Sequence, residues 1–269
     1  MPPRPFFSYK NNKQEEEKYL KRNQIIILIA MDPNNTNNNN NSIKSVYASD
    51  FVNIVEGPNK GMFKIIFAYP SRALINSLIK TKIIQGGTAT DDYKTLQFKA
   101  NAVTSLKQNL ENKPQFAIQM TSSLATQLNY LITAESRTII GYAPENIIVI
   151  NGKKSAFIGS EWVAELEGTM FQLSYPFSPT DFFVSPELLQ VKELPAYVHY
   201  KTAYFSLACL ITHVLLGPEN EYYNEYLKNK DPQTILSYLH NHSINGTKLY
   251  WLLSRCLMDD PRKRSILFI

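Results

Sequence analysis

At 269 residues the chain is long enough to bury a substantial core, in one large domain or in two lobes. Its 44% hydrophobic and 19% charged residues exclude the disordered class. Twenty-eight Lys+Arg against 23 Asp+Glu leave a formal charge of +5, compatible with acidic partners but too small to imply nucleic-acid binding.

The two cysteines, Cys209 and Cys256, fall inside apolar helical patterns, where a thiol behaves as a small buried hydrophobe. Neither a disulfide framework nor metal-ligand spacing is present, so a reducing intracellular compartment is expected. His240 and His242 flank Asn241 without a thiol or carboxylate cluster and read as solvated or helix-end residues. The opening Met-Pro-Pro-Arg-Pro-Phe-Phe lacks the apolar core of a secretory signal. Tyr204–Gly217 is apolar but falls short of the roughly 20 residues that span a bilayer. It reads as a fully buried helix, and a soluble protein with no membrane partner is expected.

In chain order, residues 1–22 form a polar arm with the charge run Lys13-Gln14-Glu15-Glu16-Glu17-Lys18. Ile25-Ile26-Ile27-Leu28-Ile29 is β-branched and predicts a buried strand. The asparagine-rich stretch 34–41 cannot bury apolar area and predicts a flexible loop. Ser45–Val55 and Met62–Tyr69 predict two strands of a hairpin, joined by the turn residues Glu56-Gly57-Pro58-Asn59-Lys60-Gly61. From Ser71, the spacing of Leu74, Leu78 and Ile79 predicts a short amphipathic helix, ended by Gly86-Gly87. From Pro114, Ile118, Thr121, Leu124, Leu128 and Leu131 keep one helical face apolar. A loop and strand follow at Pro144–Ile150, with Asn151-Gly152 as a hairpin turn. The remainder predicts helices, one started by Asp231-Pro232 and one capped by Thr247 ahead of Leu249, Leu252, Leu253, Cys256 and Leu257.

Pro144-Glu145-Asn146, followed by Ile147-Ile148-Val149, resembles the end of the protein-kinase catalytic loop and its apolar strand. In the same order as in that family, Ser185-Pro186-Glu187 resembles the A-P-E motif. Phe205-Ser206-Leu207-Ala208 resembles the start of the buried central helix, and Asp260-Pro261-Arg262-Lys263-Arg264 resembles the late D-P-x-x-R. Upstream, Ile65–Tyr69 and Leu74–Ile79 look like the last small-lobe strand, the hinge and the first large-lobe helix. The resemblance covers roughly residues 45–269. It implies an α+β, bilobal protein-kinase-like fold: a reduced β-rich small lobe over 23–70 and a larger, mainly α-helical lobe over 71–269. It also implies an ion pair between Glu187 and Arg264, with Asn146 holding its loop.

The residues that would carry phosphoryl transfer are absent at the matched positions. The catalytic aspartate position is Gly141, the loop lysine position is Ala143, and the His-Arg positions are Ile139 and Ile140. The D-F-G position falls near Phe157-Ile158-Gly159, where Glu161 is the nearest carboxylate and reads as solvated beside Trp162. Asn146 survives at a metal-ligand position, but one amide without its carboxylate partner is a poor magnesium site. No G-x-G-x-x-G occurs, and Lys44 and Lys64 lack a following glutamate helix. The aspartate that caps the central helix in the family is Ala203 here.

The expectation is a pseudokinase with neither cofactor nor metal, acting as a scaffold or assembly component on a protein partner in the cytoplasm. Rival readings are a divergent active Ser/Thr kinase using recruited acidic residues, and a basic virion protein that contacts nucleic acid. The asparagine tract and Ile/Lys/Asn-rich composition resemble proteins of large cytoplasmic DNA viruses and of some protists. Tyr222, Tyr223 and Tyr226, near Glu221 and Glu225, form either an exposed interface or a cover on the core.

Overall fold

The computed structural model describes residues 44–108 and 114–266. The expected polar arm, the Ile25–Ile29 strand and the asparagine-rich loop lie outside these residues.

The described residues begin with strands β1 (Lys44–Ala48), β2 (Val52–Glu56) and β3 (Met62–Phe67). Ser45–Val55 is two strands rather than one. Ser49 breaks it, because its hydroxyl accepts the Phe51 and Val52 N–H groups at 3.3 and 3.1 Å and turns the backbone. β2 and β3 form the expected antiparallel hairpin, with Val52 opposite Phe67 and Glu56 opposite Phe63. Its turn needs Gly61, whose φ is +78°.

Helix α1 (Arg72–Lys80) follows, but it does not open a helical lobe. After it the chain returns to the same sheet through β4 (Thr88–Ala89) and β5 (Thr95–Lys99), giving the order β1-β2-β3-β5-β4. The boundary expected after residue 70 therefore cuts through a continuous five-stranded sheet. Leu96 and Phe98 alternate with Thr95, Gln97 and Lys99, so β5 carries one apolar face and buries it. Val52, Ile54, Phe63 and Ile65 line the same core, into which α1 sends Leu74, Ile75 and Leu78. Lys64, between Phe63 and Ile65, points to the other face of β3.

The long helix α2 (Pro114–Glu135) buries Thr121, Leu124, Leu128 and Leu131 as the spacing predicts, with Ile118 at the edge of the stripe. Each fully buried leucine contributes about 2 kcal/mol of transfer free energy. Strand β7 (Arg137–Ile139) pairs with β10 (Val163–Glu165), and β6 (Val103–Ser105) lies beside the hairpin β8 (Ile147–Ile150) and β9 (Lys154–Phe157). In the three-residue connection between β8 and β9, Asn151 and Gly152 both have positive φ, +54° and +65°. Strand β11 (Met170–Leu173) pairs with β12 (Ala196–His199).

The rest is helical: α3 (Pro186–Leu189), α4 (Thr202–Leu216), α5 (Tyr222–Asn229), α6 (Gln233–His240) and α7 (Lys248–Cys256). Helix α4 is apolar almost all round and buried along most of its length. The Thr247 side chain caps α7, and Asp231 Oδ1 accepts the Gln233 N–H at 2.9 Å at the start of α6. Among the described residues no helix is long and apolar enough to cross a membrane. The fold class is α+β.

Candidate functional site

The segment from Ile139 to Asn146 leaves β7 and enters a short turn at Pro144–Asn146 ahead of β8. Ile139, Ile140, Tyr142 and Ala143 are all buried. Backbone groups hold the segment: Ile140 N–H donates to Trp162 O at 2.8 Å, and Asn146 N–H to Ala143 O at 3.0 Å. The buried Ser206 hydroxyl, on α4, accepts the Tyr142 N–H at 2.7 Å.

Gly141 is covered by an aromatic ring. A Cβ placed on it would lie 2.0 Å from Phe182 Cδ2, so no other side chain fits without displacing that ring. Phe182 in turn packs edge-on against Trp162 (centroids 4.8 Å apart) and stacks on Phe177 (5.4 Å). Ile140, Ala143, Phe171, Leu173, Val184, Leu188 and Val198 are the other buried members of this apolar cluster.

Segment 182–184 is fixed from two sides. Phe183 N–H donates to Tyr142 O at 2.9 Å. On α5, the Tyr223 hydroxyl accepts the Val184 N–H at 2.6 Å and donates to Phe182 O at 3.3 Å. The Tyr226 hydroxyl donates to Val184 O at 3.1 Å. Tyr222 donates to Cys209 O at 2.7 Å, and both Tyr222 and Tyr226 are fully buried. The tyrosine-rich segment is thus a cover and a clamp on the core. Burial pushes the hydroxyls of Tyr222, Tyr223 and Tyr226 upward, so they remain protonated donors.

Phe157 is fully buried at the end of β9, with its ring edge-on to Tyr142 at 5.3 Å. Its backbone is gripped by Gln127 of α2. Gln127 Oε1 accepts the Phe157 N–H at 2.9 Å, and Nε2 donates to Phe157 O at 3.0 Å and to Ser77 Oγ of α1 at 3.1 Å. One buried amide therefore joins α1, α2 and β9, a link that sequence spacing gave no means to find.

Asn146 holds its turn through backbone groups. Its carbonyl accepts the Ile158 N–H at 2.9 Å, and its side chain lies against Gly159, where a Cβ would be 2.9 Å away. Glu145 is exposed and pairs with Lys107 at 3.3 Å.

Glu161 departs from the expected solvated state. It lies in a short turn, Ser160–Trp162, with Oε2 buried and without a protein partner. Burial raises its pKa to about 7, opposed only by its own backbone N–H. From β1, Tyr47 faces both Glu161 and Glu145; burial and then these two charges push its hydroxyl up.

Glu187 and Arg264 meet as a bidentate pair, at 2.6 Å (Nη1–Oε1) and 2.8 Å (Nη2–Oε2). Arg264 is fully buried and uses all five of its donors. Nε–H reaches Met258 O at 2.7 Å, Nη1 also reaches Lys201 O at 3.1 Å, and Nη2 also reaches Asp259 O at 2.8 Å. Its guanidinium lies over the Phe205 ring, 5.1 Å from the centroid. The Ser185 and Thr202 hydroxyls add a buried contact of 2.6 Å between the Glu187 segment and the start of α4.

The chain matches no protein-family model and no curated protein. Among the described residues no group of three or more His, Cys, Asp or Glu side chains is placed to hold a metal. What the region offers chemically is an apolar, aromatic-filled loop with one buried carboxyl at its margin.

Proposed function

We propose that this chain is a catalytically inactive, protein-kinase-like protein that works as a scaffold or assembly component by binding another protein. The observation that carries the reading is the Phe182 ring on Gly141, the position matched to the catalytic aspartate. A group that orients a substrate hydroxyl must reach open space at that point, and here the space is filled by a clamped aromatic side chain.

Other features support the kinase-like half of the proposal. A five-stranded sheet with a helix between its third and fourth strands precedes a long helix. The loop ending in Pro144-Glu145-Asn146 comes next, then the Glu187 segment, a buried helix and the late arginine that pairs back to Glu187. In this arrangement the small lobe runs from Lys44 to Lys99, and the large lobe carries the helices from α2 onward. The inactive half draws on β3 and α1 as well. The lysine of β3, Lys64, lies on the face opposite the buried one, and α1 contains no acidic residue to pair with a phosphate-binding lysine. Glu161, the carboxyl nearest in sequence to the D-F-G match, has its pKa raised to about 7 by burial, which weakens it as a magnesium ligand.

A protein partner is favoured over nucleic acid because the charge of +5 is small for a chain of this size. Thermal-shift measurements with ATP, with and without Mg2+ or Mn2+, test the proposal. No stabilisation is expected. A metal-dependent rise in melting temperature overturns the inactive reading, since a ligand that binds the native state raises its apparent stability.

A further inference from the structure

Glu161 combines three features that no role so far explains. Its Oε2 is buried without a partner, its turn is the joint between β9 and β10, and the next residue is the ring that supports Phe182. An ionised carboxylate is costly in such a place, because only its own backbone N–H replaces the water it gives up. The neutral acid costs far less.

We propose that the Glu161 turn is a proton-operated latch on the Phe182 plug: neutral Glu161 keeps the turn packed, and ionised Glu161 draws it outward and loosens Trp162 from Phe182. The mechanical path is short. Trp162 O accepts the Ile140 N–H, and Phe182 covers Gly141 beside that same residue, so displacement of the turn acts on both. The inference does not depend on the chain being kinase-like.

The surrounding groups leave the charge uncompensated. From β1 the facing group is Tyr47, whose raised pKa keeps it neutral. Glu145, from the Pro144–Asn146 turn, faces Tyr47 and adds negative charge, and Lys107 is already engaged with it. From α4, His213 lies against Phe183 and within range of Glu145; burial lowers its pKa, so it is uncharged while Glu161 titrates.

The test uses the full chain with Trp251→Phe, which removes the exposed second tryptophan and leaves Trp162 as the reporter. Emission and acrylamide quenching are followed from about pH 5 to about pH 9. The expected result is a red shift and increased quenching with a midpoint near 7, absent when Glu161→Gln is added. A flat trace in folded protein, or an unchanged transition in the glutamine variant, overturns the proposal. Hydrogen exchange of the unsubstituted chain gives a second readout that needs no variant. The protection factor of the Ile140 amide should fall severalfold across the same pH range while that of Ile150 holds. An Ile140 protection factor independent of pH also overturns it.

Discussion

Replacing Arg264 by lysine keeps the charge and much of the stem, and removes only the fork. The structure makes this substitution informative because all five N–H donors of Arg264 are used, two on Glu187 and three on the carbonyls of Met258, Lys201 and Asp259. An ammonium has three donors. At least two of the five acceptor contacts therefore lose their partner in a site where the arginine is 0% exposed. At about 1–3 kcal/mol for each buried polar group left unsatisfied, Arg264→Lys should cost about 3 kcal/mol. Glu187→Gln should cost about 3–5 kcal/mol, because it strands a buried guanidinium. The two substitutions share one network, so their effects should fall short of additive in the double variant. Urea denaturation at constant slope measures each value. A loss below about 1 kcal/mol for Arg264→Lys would refute the reasoning, because the five contacts would then be geometrically satisfied but energetically idle.

Gly141→Asp places a Cβ 2.0 Å from Phe182 Cδ2 and a carboxylate among aromatic side chains; it should lower stability by at least about 3 kcal/mol and confer no ATP-dependent phosphoryl transfer, checked by thermal melting and a radiolabel assay. Tyr142→Phe removes a hydroxyl that is fully buried without a partner, so stability should hold or rise by about 1 kcal/mol; a loss on urea denaturation would show that the hydroxyl is satisfied. Glu161 holds its proton to about pH 7 in the folded chain but releases it near 4.5 when unfolded, so its neutral form is what folding favours. Stability relative to Glu161→Gln should therefore be highest below about 4.5, fall as pH rises to about 7, and stay flat above. The total change is roughly 3 kcal/mol, read from denaturation midpoints across the pH range.

Much of the local structure is legible in the sequence because it depends on neighbours within a few residues. The apolar stripe of α2, the Asn151-Gly152 turn with its two positive φ angles, and the caps at Thr247 and Asp231 are all of this kind. The pairing of Glu187 with Arg264 is not local, but it could be expected through the order of the motifs, and the two residues lie in contact. The uncharged character of the stretch holding Gly141 and Ala143 is equally plain from the sequence.

Other features required the tertiary structure, because their cause lies far along the chain. β5 has the alternation of a strand, yet nothing near it says that it pairs with β3 across α1 and extends the sheet past residue 70. Gln127 reads as one polar residue on a helix until it meets Phe157, 30 residues on, and Ser77, 50 residues back. Glu161 reads as solvated beside a tryptophan, and only packing takes its carboxyl out of water. The sequence by itself determined that residues 139–143 carry no charged side chain. Tertiary structure decided what covers that loop: the Phe182 ring, brought onto Gly141 by tyrosines 41 and 42 residues beyond the carbonyls they hold. The physical reason is that composition fixes which groups are available, whereas burial and hydrogen-bond partners are set by segments that meet only when the chain has folded.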